Sequence, residues 1–142
     1  MTLFDAIDAG DEDALRDELE RRPELAGERN EEGVSPVLHA LSRGRPELAS
    51  RILDANPPLD VFDAAAVGRT RGLEELVEAE PGLVHARTGN GSTPLHLAAR
   101  FDQRGAVELL LEHGADASAR DGDGRTPADV AGDGTRELLA GD

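Results

Sequence analysis

Along residues 93–119, apolar positions recur with the spacing of two short helices. Leu95, Ala98 and Ala99 fall at i, i+3 and i+4, and Val107, Leu110 and Leu111 repeat that interval downstream. Thr93 and Pro94 form a helix start: a hydroxyl that accepts from free N–H groups, then a ring already set at helical φ. Gly114 supplies a left-handed stop. The stretch predicts two antiparallel helices, each apolar on one side and unable to bury that side alone.

The pattern recurs. Thr126-Pro127 follows Thr93-Pro94 by 33 residues. A longer period relates the first half to the second: Phe4-Asp5-Ala6 returns 58 residues on as Phe62-Asp63-Ala64. At the same offset Gly10, Leu15, Pro23, Leu25, Arg29, Gly33 and Pro36 meet Gly68, Leu73, Pro81, Leu83, Arg87, Gly91 and Pro94. These matches imply duplication of a two-unit block, or two unlike units alternating. Five units result, at about 1–28, 29–58, 59–86, 87–119 and 120–142. The first and third begin almost directly with a helix. In the fifth, the first helix meets Gly132-Asp133-Gly134 early, so that only Leu138-Leu139 remain of the second.

The run Thr93-Pro94-Leu95-His96, with Ala98, closely resembles the T-P-L-H-x-A signature of the ankyrin repeat, and 33 residues is that family's period. The resemblance implies an all-α solenoid of about five helix-turn-helix units with short hairpin fingers, forming one domain over 1–142. Its polar first and last units would act as caps. It also implies that His96 ties neighbouring repeats through hydrogen bonds. A protein partner is then expected on the hairpin tips and on the exposed side of the first helices.

On that basis the candidate contact residues at the tips are Glu31, Glu32 and Val34, Asn90 and Ser92, and Asp123 and Arg125. On the concave side the lining positions are Asp8 and Ala9, Ser42 and Arg43, Ala66 and Val67, and Arg100 and Phe101. Phe101 beside Arg100, on a surface of small residues, has the make-up of an interface anchor. Packing of Phe101 on the loop at Asp102-Gln103 is the other reading.

Little else in the chain suggests chemistry. His39, His85, His96 and His113 have no metal-ligand spacing. Asp121-Gly122-Asp123-Gly124 begins like a calcium loop, but Arg125, Thr126 and Gly132 fall where an oxygen ligand, Gly and Glu are needed. There is no phosphate loop and no nucleophile elbow. The expectation is a non-catalytic module with no cofactor. The alternative is an acidic inhibitor or immunity-type protein that masks a basic surface of an enzyme.

Composition narrows the setting. The chain has 142 residues, no cysteine, three Phe and neither Trp nor Tyr. No run of 18 apolar residues and no secretory leader is visible, which points to the cytoplasm and to no membrane span; a monomer is the separate expectation. All 15 basic residues are Arg, against 30 acidic ones, for a net charge of −15. That field repels phosphate backbones and excludes nucleic acid as a partner. It also opposes compaction by self-repulsion, which salt screens, as a host with high internal salt or a high-GC bacterium would suit. The melting temperature should therefore rise between about 0.1 M and about 3 M KCl. A flat melting curve across that range would count against salt adaptation.

Overall fold

The computed structural model describes residues 2–140, which fall into two compact units, Met1–Leu59 and Asp60–Asp142. Among the described residues every regular element is helical. None of these helices is long and apolar enough to cross a membrane.

The first unit holds α1 (Leu3–Ala9), α2 (Glu12–Arg21), a 3-10 turn at Pro23–Gly27, α3 (Pro36–Ser42) and α4 (Pro46–Asp54). Each start has a local cause. Thr2 and Asp5 form a capping box, with Thr2 Oγ1 accepting from the Asp5 amide and Asp5 Oδ2 from the Thr2 amide. Asp11 Oδ1 caps α2, and Ser35 Oγ caps α3 ahead of Pro36. Leu3, Ala6 and Ile7 of α1, Leu15 of α2, Val37 and Ala40 of α3, and Leu48 and Ile52 of α4 are buried.

The second unit holds α5 (Val61–Val67), α6 (Thr70–Ala79), a 3-10 turn at Pro81–His85, α7 (Pro94–Arg100), α8 (Arg104–Glu112), α9 (Pro127–Val130) and α10 (Asp133–Ala140). Helix α7 is its centre. It packs on α5, α8 and α9, and every residue from Pro94 to Ala99 is buried. Around it lie Leu73, Val77, Val107 and Leu110. A tightly packed row of small residues explains how a chain with so few aromatics closes a core.

The 58-residue offset is a structural equivalence. In the first unit Arg45 lies over Gly10, which has φ 67°, and Arg45 Nη2 donates to the Asp8 carbonyl at 3.2 Å. In the second unit Gln103 lies over Gly68, with φ 75°, and Gln103 Nε2 donates to the Ala66 carbonyl at 3.0 Å. Asp8 and Ala66 are 58 residues apart, and so are Arg45 and Gln103. Positive φ favours glycine at these two helix ends, and the flexible covering side chain lies close over it.

The fifth repeat departs from expectation. Its second helix, α10, is eight residues long and begins at Asp133, so Gly132 and Gly134 do not cut it short. Those glycines serve close approach instead: a Cβ at Gly132 would lie 2.9 Å from Asp102 Cγ. Through that gap Asp102 Oδ1 accepts from the Thr135 amide at 2.8 Å. The Ala99 carbonyl accepts from the Gly132 amide and the Thr135 hydroxyl, both at 3.0 Å. Only the first helix, α9, is truncated, at four residues.

Leu110 is fully buried in the second unit. Leu110→Ala should cost about 2–5 kcal/mol by cavity formation. Leu110→Asp should unfold the second unit by burying an unpaired charge. Thermal melts followed by circular dichroism check both; a wild-type melt for Leu110→Asp would contradict this packing.

Candidate functional site

Three hairpin fingers, at 30–34, 88–92 and 121–125, share one construction. The first residue's amide donates to the fifth residue's carbonyl in each: Asn30 to Val34, Thr88 to Ser92, Asp121 to Arg125. The polar side chain that opens the finger turns back on its own backbone. Asn30 Oδ1 accepts from the Glu32 and Val34 amides, and Asp121 Oδ1 from the Asp123 and Arg125 amides. An arginine just upstream braces each loop by donating to a glycine carbonyl: Arg29 to Gly33, Arg87 to Gly91, Arg120 to Gly124. The Asp121-Gly122-Asp123-Gly124 run is thus a finger, its first carboxylate spent on amides.

In the second unit two fingers are locked side by side. The Gly122 amide donates to the Asn90 carbonyl at 2.9 Å, and Arg87 Nη1 donates to the Arg120 carbonyl at 2.7 Å. His96 fastens them to α7. Its Nδ1 accepts from the Thr93 amide at 3.1 Å, so the proton sits on Nε2, which donates to the Arg125 carbonyl at 2.8 Å. This buried imidazole joins the fourth repeat to the fifth, as the signature implied.

Between these fingers and helices α7 and α9 lies a concavity of about 200 Å³. Leu97 and Val130 supply apolar surface, and Asn90, Arg100 and Arg125 the polar rim. The Arg100 guanidinium sits 5.4 Å from the centroid of the half-buried Phe101 ring, within cation–π range. Arg125 is paired with Asp121 at 3.4 Å and Asp123 at 3.0 Å.

The candidate contact residues separate by burial. Glu31, Glu32, Ser42, Arg43, Asn90, Arg100, Asp123 and Arg125 are exposed, while Val34, Val67 and Phe101 are half-buried. Two of the candidates are buried. Ala66 is fully buried, because α5 packs on α7 there and Gln103 covers the helix end. Ser92 is 7 % exposed, because its backbone closes the finger with Thr88 and the chain turns inward to Thr93. Ser92 still lines the concavity beside Leu97, and Ala66 does not.

Asn90, Arg100 and Arg125 are brought together by the fold, with Leu97 and Val130 added. Those two apolar residues are 33 apart, one repeat period, so the repeat alignment carried a signal for them. In the first unit Arg43 meets Asp8, also expected on the concave side, together with His39. Its Nε lies 3.1 Å from Asp8 Oδ1, which also bonds His39 Nε2 at 2.8 Å. His39 stands edge to face with Phe4, their centroids 5.1 Å apart.

Residues 76–131 match the family model described as ankyrin repeats (many copies). Human neurogenic locus notch homolog protein 4 is 35% identical over 103 residues, covering 72% of this chain and 5% of its own length. Rat ankyrin repeat and SAM domain-containing protein 6 is 32% identical over 98 residues, covering 69% of this chain and 11% of its own length. The ARF GTPase-activating protein Git of Drosophila melanogaster is 47% identical over 68 residues, covering 44% of this chain and 9% of its own length. This chain thus spans 11% or less of the length of these three relatives.

A carboxylate of the last finger and one in the α9 capping box carry a pH signature. The Arg125 amide, helped by that of Asp123, holds the Asp121 carboxyl below its ordinary value. The Thr126 amide and hydroxyl do the same for Asp129. A depressed folded-state pKa adds stability above the unfolded value, and that stability is lost as pH falls through the folded one. Melting temperature should therefore drop below about pH 4. Asp129→Asn keeps an acceptor for the cap but removes the titration, so its acid limb should be shallower. An identical acid limb in wild type and variant would contradict this.

Proposed function

Since this chain belongs to the ankyrin-repeat family, whose repeats are generally protein-interaction modules, we propose that it is a non-catalytic module that holds a protein partner. In this reading it works as a monomer in the cytoplasm, without a cofactor. The partner seats on the concavity of the second unit and on the adjoining finger tips.

The observation that carries the reading is the Arg100–Phe101 pair. An exposed guanidinium stacked on a half-buried aromatic ring, beside a concavity containing Leu97 and Val130, is the chemistry of an interface anchor. The surroundings are held rigid by the His96 bond to Arg125 and by the bond between the two fingers. A rigid, preformed surface loses little freedom on binding, which favours affinity without a deep pocket.

Recovery of partners in the native salt, identified by mass spectrometry, supplies the ligand for calorimetry. Phe101→Ala should weaken that complex by about 2 kcal/mol, roughly thirtyfold. Arg100→Ala should weaken it less, and both variants should melt within a few degrees of wild type. If Phe101→Ala unfolds the chain, or leaves every partner's affinity unchanged, the anchor assignment fails.

A further inference from the structure

A second concavity, of about 690 Å³, lies wholly in the first unit between the exposed side of α1 and the finger at 30–34. That is inside the range of about 300–1,000 Å³ typical of ligand sites. One wall is aromatic: the half-buried Phe4 and His39 rings in edge-to-face contact, with Asp8 holding His39 Nε2. The remaining polar lining is predominantly acidic, with Asp8, Glu18, Glu28 and Glu31 against Arg22 and Arg29. Both guanidiniums are already engaged, Arg22 with Glu24 at 3.4 Å and Arg29 with the Gly33 carbonyl at 3.2 Å. Glu18 pairs with Arg21, and Asp8 is shared by His39 and Arg43. Glu28 and Glu31 are exposed and, among the described residues, pair with no cation.

The duplicated block shows that these carboxylates are not required by the fold. At the 58-residue offset Asp8, Glu18, Glu28 and Glu31 become Ala66, Leu76, Ala86 and Gly89, and His39 becomes Leu97. Phe4 persists as Phe62. The second unit builds the same helices, 3-10 turn and finger with none of the four acids. At these positions the acids belong to the first unit alone.

Resting on the interaction reading above, we propose that this groove receives a lysine or arginine side chain of the protein partner. The cationic head lies against Phe4, within reach of Glu28 and Glu31, and the methylene stem runs along Leu25. Binding draws on cation–π attraction and on two carboxylates that no internal cation neutralises. The partner is thus basic where it meets the first unit.

The test is a titration of the isotopically labelled full chain with acetyl-Ala-Lys-Ala-amide, its Arg counterpart and its norleucine counterpart, followed by amide NMR shifts. Saturable shifts confined to residues 2–8, 28–31 and 39 are expected for Lys and Arg, and none for norleucine. The Glu28→Gln, Glu31→Gln double variant should weaken the Lys peptide about three- to fivefold, and Phe4→Leu by a similar factor. The Gln changes lie at exposed positions, so they decide the matter even if Phe4→Leu melts early. Shifts spread over the whole acidic surface without saturation, an equal response to norleucine, or no loss in the Gln variant would overturn the proposal. A partner that binds the Gln variant normally but fails with Phe101→Ala would remove this inference and leave the second-unit site standing. Saturation by the Lys peptide with a partner indifferent to Phe101→Ala would do the reverse.

Discussion

The last-turn carbonyls of a short helix have no partner within the helix, and a seven-residue helix ends almost as soon as it begins. In this chain the following repeat supplies the missing donors. Arg45 donates to the Asp8 carbonyl, Gln103 to the Ala66 carbonyl, and Gly132 with Thr135 to the Ala99 carbonyl. Asp8, Ala66 and Ala99 are one position of the repeat, related by offsets of 58 and 33. Within each unit, a first helix is therefore completed only when its successor docks. Hydrophobic burial follows the same rule, since α7 is flanked by α5 and α9 of the adjacent repeats as well as by its own partner α8. Polar satisfaction and apolar burial thus depend on the same neighbour, which is the physical basis for cooperativity among stacked repeats.

The constraint shapes where function can sit. Residues committed to completing a neighbour are withdrawn from the surface, as His96, Ala66 and Thr135 are. What remains free lies on the fingers and on the exposed turn that ends each first helix. There the two units differ in chemistry on a shared frame. Asp8, His39 and Arg43 form a charged group in the first unit; Ala66, Leu97 and Phe101 stand at the same places in the second. The first unit carries a groove with an acidic lining and an aromatic wall, and the second a smaller concavity with an arginine rim. The net charge of −15 suits the first, because opposite potentials speed encounter with a basic partner.

Most of the fold was legible because its determinants are local. Thr93-Pro94 and Thr126-Pro127 do start helices, and Gly33, Gly91 and Gly124 do turn fingers with positive φ. The site was less so. Ala66 and Ser92 sit at promising offsets from the ends of their elements, yet α7 and the Gln103 side chain close over Ala66, and Ser92 turns inward where its own finger closes. Gly132 and Gly134 read as helix breakers, and in the chain they are the gap through which Asp102 reaches the start of α10. A glycine that permits a turn and one that permits close approach look alike in a sequence.

By itself, then, the sequence determined the repeat, its period, the helix starts and caps, and the excess of acid over base. Each of these follows from spacing along the chain or from which residue types are present. The tertiary structure decided which exposed-looking positions are closed, how long the last helix runs, and that Phe4, Asp8, His39 and Arg43 form one group. Apart from the local closure at Ser92, those outcomes depend on distances between residues 30 or more apart in the chain. Local propensity holds no record of such distances; only the docking of one hairpin on the next sets them.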